Sequence, residues 1–128
     1  MITDVERWDR AHLYRFRAYP WRVVDGDTFV ALPDVGFDGA AFPHIRLLDY
    51  SAPEKYATGG LDAMERIDVA LHLNTAVKWP LRIESKLRET VVEGVKTFAR
   101  YVATVWVVRP DGTMVDIRTI LIESGGPG

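Results

Sequence analysis

Apolar and polar residues alternate with a period of two near the start of the chain. Tyr14, Phe16 and Ala18 fall on one side and Arg15 and Arg17 on the other, which predicts a strand from His12 to Val24. Pro20 predicts a bulge or bend within it, because proline gives no N–H to a ladder. Asp25-Gly26 is a tight-turn signal, so a second strand is expected from Asp27 to Leu32. Pro33 to Ala41, with Gly36 and Gly39, reads as a connecting loop, and Phe42 to Leu48 as a third strand that completes a meander. The period then changes. Leu61, Met64, Ile67 and Leu71 recur at helical spacing with Asp62, Glu65, Arg66 and Asp68 on the other side, predicting an amphipathic helix that ends near Asn74. Leu81 and Ile83 alternate with Arg82 and Glu84 in a fourth strand, and Tyr101 to Val108, apolar on both faces, predicts a buried fifth. Leu87 to Phe98 between them is expected to be a loop or a short helical turn. Residues 1–11 read as a helical or loose lead-in, and residues 124–128 as a flexible glycine-rich tail.

Two stretches carry candidate chemistry. Ile45 to Glu54 runs Ile-Arg-Leu-Leu-Asp-Tyr-Ser-Ala-Pro-Glu, a strand that a proline turn stops. One rigid unit thus holds Arg46 and, eight residues on, Glu54. A guanidinium clamps a phosphate bidentately, and a carboxylate can take a proton from water. Upstream, Val24-Asp25-Gly26-Asp27-Thr28 puts acidic side chains at a turn between two strands.

Val-Val-Asp-Gly-Asp-Thr, then Asp34-Val35-Gly36-Phe37, then Ile-Arg-Leu-Leu with Ala-Pro-Glu at its end, resembles the staphylococcal-nuclease (thermonuclease) family. Lys96-Thr97-Phe98-Ala99-Arg100-Tyr101-Val102-Ala103 is similar to that family's second arginine motif, and Pro110-Asp111-Gly112 before Met114 to Ile122 to its late turn and helix. The likeness runs from about Tyr14 to Glu123. With that last helix, the expected architecture is mainly β with helices (α+β): one domain over 1–128, a five-stranded Greek-key OB-fold barrel with a helix between strands three and four and another after strand five. The resemblance implies calcium-dependent (Ca2+) hydrolysis of DNA and RNA with little sequence preference, leaving 3'-phosphate ends. Glu54 would be the general base, and Arg46 and Arg100 would stabilise charge on the phosphorane. Asp27 and the carbonyl of Ala52 would ligate the cation. Phe98 would stack on a base, and Thr28 would order the turn through its hydroxyl. The expected substrate is single-stranded and the enzyme a monomer.

Two departures from the pattern matter. Ser51 stands where the family has an aspartate or asparagine, which weakens the metal site, and Asp49 is expected to compensate if the strand stays extended to Ser51. The family also continues past the last helix, where this chain ends in Gly-Gly-Pro-Gly, so either weaker stability or substrate grip is expected, or a shortened form of the chain.

Composition narrows the picture. Hydrophobic content of 48% and charged content of 27% over 128 residues fit one globular domain with a core. No apolar run is long enough to span a membrane, the start is too polar for a secretory signal, and there is no cysteine, so a cytoplasmic protein is expected. His12, His44 and His72 are isolated, which argues against zinc, and neither a nucleophile elbow nor a phosphate-binding glycine loop occurs. The net charge of −2 gives no overall basic field for holding nucleic acid. Arg7, Arg10, Arg15, Arg17 and Arg22 crowd the first strand region, where they serve either as its solvated face or as a grip on substrate. That charge, together with Ser51, keeps open a second reading: a non-catalytic module of the same fold that binds nucleic acid or a protein.

Overall fold

The structure, a computed structural model, describes residues 1–12 and 14–128, without the side chains of 11 and 12. Its elements are α1 (Asp4–His12), β1 (Arg15–Asp25), β2 (Thr28–Pro33), β3 (His44–Leu47), α2 (Gly60–Leu71), β4 (Leu81–Glu93), β5 (Lys96–Val108), β6 (Met114–Asp116) and α3 (Ile117–Glu123). The first strand therefore starts at Arg15 and not at His12, which closes a helix; Leu13, within the expected strand, lies outside the described residues.

The strands form one sheet in the order β3-β2-β1-β4-β5-β6, and β3 also pairs with β5. The β3–β5 pairing is parallel and the others antiparallel. It joins the two ends of the run β3 to β5, so five strands close on themselves in a barrel-like arrangement. Pro20 sits at a register shift between β1 and β2, as its missing N–H requires. Phe29, Ile45, Leu47, Leu81, Val105 and Val107 fill the interior, and Ile67, Leu71, Ile117 and Leu121 cover it from α2 and α3.

Several sequence expectations change. Leu87 to Phe98 is neither loop nor helical turn but the far half of a long β4–β5 hairpin, in which Glu93 pairs with Lys96 across Gly94-Val95. Gly94, at φ 61, supplies the left-handed residue of that two-residue turn. Met114 to Asp116 is a short strand, and the helix begins only at Ile117, after Asp116 caps it by accepting from the Arg118 N–H at 2.9 Å. At the start of the tail the Gly125 and Gly126 N–H groups donate back to the Ile122 and Leu121 carbonyls, with Gly125 at φ 100, closing α3 in a Schellman cap. The buried stripe of α2 is Gly60, Ala63, Ile67, Ala70 and Leu71, with Leu61 exposed. Small residues let this helix lie close to the chain below it. Helix α2 also stops at Leu71 rather than Asn74, which is buried and donates from Nδ2 to the Val108 carbonyl. Among the described residues no helix is long and apolar enough to cross a membrane.

Gly60 shows how tightly α2 sits against the loop before it. A Cβ there would lie 1.9 Å from the Glu54 carbonyl oxygen and 2.6 Å from that of Lys55. Gly60→Ala is therefore expected to push the 53–59 loop away. Overpacking of this kind costs about 1–3 kcal/mol, which thermal melting would read as a fall of roughly 4–12 °C.

Candidate functional site

The Asp25-Gly26-Asp27 turn packs against α2 and the 51–55 segment. A Cβ on Gly26 would come within 2.5 Å of the Ala63 Cβ and 2.8 Å of the Ala52 Cβ, so only glycine allows this approach. The two aspartates then brace the segment that follows β3. Asp27 Oδ2 accepts from the Ala52 N–H at 3.0 Å, and Asp25 Oδ1 from the Lys55 N–H at 3.0 Å. Thr28 donates its hydroxyl to Asp27 Oδ1 at 2.9 Å.

Arg46 completes this network from β3, where it pairs with Thr28. Its guanidinium donates to the Leu47 carbonyl at 2.8 Å, to the Tyr50 carbonyl, and to Ser51 Oγ at 2.9 Å; it lies 3.5 Å from Asp27 Oδ2. Leu48 to Ser51 is thus wrapped around one side chain. The strand does not extend to Ser51. It ends at Leu47, and Asp49 turns the chain at φ 55, which removes the geometric ground for placing Asp49 beside the cation. The Asp49 carboxylate is largely exposed, 3.8 Å from Arg118 Nη1.

Arg100 stands on β5, where it pairs with His44 on one side and Glu89 on the other. Glu89 Oε1 accepts from Arg100 Nε at 2.6 Å and lies 2.5 Å from Nη2. Arg46, Asp49, Tyr50, Ser51, Glu89 and Arg100 line a cleft of about 320 Å3. Arg100 also lines an adjoining cleft of about 900 Å3 with Glu54, Phe98, His44, Arg22 and Lys96. The expected base and both arginines therefore border two clefts that share Arg100. Phe98 rests on His44, ring centroids 4.9 Å apart, and is half-buried.

Sequence reasoning missed several residues of this surface. Glu89 was hidden in the stretch read as a loop. His44 was set aside as isolated, yet it lines the larger cleft; burial first, then the cationic Arg22 and Arg100, hold its imidazole below the usual pKa. Lys55 and Lys96 add cations to Arg22 there, and these three make no ion pair among the described residues. Arg15 and Arg17 instead bind acids: Arg15 is 3.2 Å from Glu84, and Arg17 donates to Asp34 at 2.7 Å, which lowers the Asp34 pKa. They form the solvated face of β1.

Glu89→Gln removes the charge that engages Arg100. It is expected to release the guanidinium to solvent, with the effect on stability read by chemical denaturation. Both side chains are about a third exposed, so stability should move by less than ~1 kcal/mol.

The donors around Asp27 suit a hard cation in kind, since carboxylate, hydroxyl and carbonyl oxygens are what calcium takes. They are few: among the described residues no three His, Cys, Asp or Glu side chains converge to hold a metal. Asp27 already accepts two hydrogen bonds near a guanidinium, so the set fits only a weakly held ion whose remaining ligands come from water and substrate. No protein family matches the chain, and no curated protein matches it.

Proposed function

We propose that this protein is a calcium-dependent nuclease of the staphylococcal-nuclease type on an OB-fold barrel, hydrolysing phosphodiester bonds of single-stranded DNA and RNA with little sequence preference and leaving 3'-phosphates. The observation that carries the reading is the grouping of Arg46, Arg100 and Glu54 around two clefts joined at Arg100. The barrel assignment is supported by the strand order and the parallel β3–β5 pairing, which make a closed five-stranded run with α2 between β3 and β4.

Arg46 and Arg100 present guanidinium groups where charge grows on the phosphate oxygens, and Glu54 takes the proton of the attacking water as the phosphorus–5'-oxygen bond breaks, the departing 5'-oxygen taking its proton from solvent. Calcium, held by Asp27, the Ser51 hydroxyl and the Ala52 carbonyl, would supply further positive charge at the phosphate. Phe98 offers a ring face to a base without regard to its identity. Arg22, Lys55 and Lys96, none of them in an ion pair among the described residues, line the larger cleft beside Asp25, Glu54 and Glu93, so contacts for phosphate are interleaved there with carboxylates.

One observation favours the other reading, a binding module without catalysis. The Arg46 guanidinium is engaged by three protein acceptors and Asp27 by two donors, as in a purely structural network. Incubation with single-stranded DNA in calcium and in chelator separates the two. Calcium-dependent cleavage is the expected result; binding without cleavage in either condition would establish the module instead.

A further inference from the structure

Helix α2 packs at the strand ends that carry the Asp25–Asp27 turn, and the opposite end of the barrel-like sheet is hollow. There the start of β1, the end of β2 and the start of β3 surround an apolar cavity of about 520 Å3. Tyr14, Phe16, Phe42, Ile83, Tyr101 and His44 are among its walls. Aromatic faces in a concavity of this size suit a flat, weakly polar ring system. Tyr14, Ser85 and Tyr101 add hydroxyls that make no hydrogen bond among the described residues, so they are available to polar ring edges.

What points to one occupant is continuity with the larger cleft, where Arg22, Lys55, Lys96 and Arg100 stand among Asp25, Glu54 and Glu93. His44 lines both spaces, and β5 alternates between them: Phe98 and Arg100 border the cleft, Ala99 and Tyr101 the cavity. His44 is the register partner of Arg100 across the β3–β5 ladder, so the cavity rim lies beside the guanidinium that borders the cleft. Resting on the nuclease reading above, we propose that this cavity is a nucleobase subsite, which takes one unpaired base while the backbone follows the cleft of Arg22, Lys55 and Lys96. A base inside the cavity cannot remain paired, so the subsite selects single-stranded over duplex substrate. Its apolar walls favour stacking over edge recognition, which keeps sequence preference small.

The test compares a fluorescein-labelled oligothymidylate with an abasic chain of equal length, by anisotropy in chelator. For the wild type, oligothymidylate should bind about tenfold more tightly than the abasic chain, the scale of one stacked base. Ala41→Trp fills the rim from an exposed loop position, and Phe42→Ala removes a half-exposed wall; each should erase most of that difference and leave abasic binding unchanged. Equal binding of the two chains by the wild type, or an unchanged difference in both variants, overturns the subsite. Cleavage of both chains in calcium keeps the two ideas apart: cleavage with equal binding sinks the subsite alone, whereas a binding difference without cleavage sinks the nuclease reading alone.

Discussion

Glu54→Ala is expected to slow calcium-dependent cleavage of fluorescent single-stranded DNA by about 10²–10⁴-fold, the usual loss when a positioned general base is removed. The loop that carries Glu54 is held from four sides: by Asp27 at the Ala52 N–H, by Asp25 at the Lys55 N–H, by the Ala57 N–H on the Glu54 carbonyl, and by the close approach of Gly60. Each of these contacts is to backbone. The Glu54 carboxylate itself is exposed and makes no hydrogen bond or ion pair among the described residues. Its removal should therefore leave stability within about 0.5 kcal/mol of the parent, as for other surface substitutions. That separation makes the result decisive. A melting curve unchanged beside a rate loss of this size assigns the base, and a loss under about tenfold takes Glu54 out of that role.

The sheet was readable wherever one face is buried. Phe16 and Ala18, or Ile45 and Leu47, alternate with more exposed neighbours because every second side chain turns towards the interior. The outer half of the β4–β5 hairpin escaped the same test because Leu87, Arg88, Thr90, Val92 and Glu93 are exposed on both faces, so no alternation marks it. The β-branched run Thr90-Val91-Val92 before Gly94 was the available signal. On α2 the stripe keeps Ile67 and Leu71 but replaces Leu61 and Met64 with Gly60, Ala63 and Ala70; Ala63 packs on Gly26 and Gly60 on the Glu54 and Lys55 carbonyls, where large side chains would not fit.

The candidate site divides along the same line. Arg46, Ser51, Ala52, Asp27 and Thr28 were legible because short spacings and one turn bring them together, and they form one hydrogen-bonded network. Glu89 was not, since its meeting with Arg100 depends on a cross-strand register that only the folded hairpin sets. His44 was missed for a related reason. A single histidine has no motif, and its place between two clefts follows from the parallel β3–β5 pairing.

Arg46→Ala is expected to cost both stability and rate, and the relation between the two losses decides what the residue is for. The guanidinium holds the Leu47 and Tyr50 carbonyls and Ser51 Oγ, and it stands 3.5 Å from an Asp27 carboxylate whose side chain is only 12% exposed. Removing it strands those acceptors and leaves a mostly buried negative charge without its nearby cation, which should cost about 2–4 kcal/mol in chemical denaturation. Loss of one preorganised donor to the phosphate should lower kcat by a further factor of about 10²–10³. Arg46→Lys separates the contributions, because an ammonium keeps the charge beside Asp27 but cannot span the two carbonyls and the hydroxyl at once. Stability should return in part while kcat stays near that of Arg46→Ala, if phosphate is gripped by the fork geometry. If instead kcat follows stability through the series, Arg46 serves the fold of residues 48–52 alone, and charge stabilisation at the phosphate falls to Arg100.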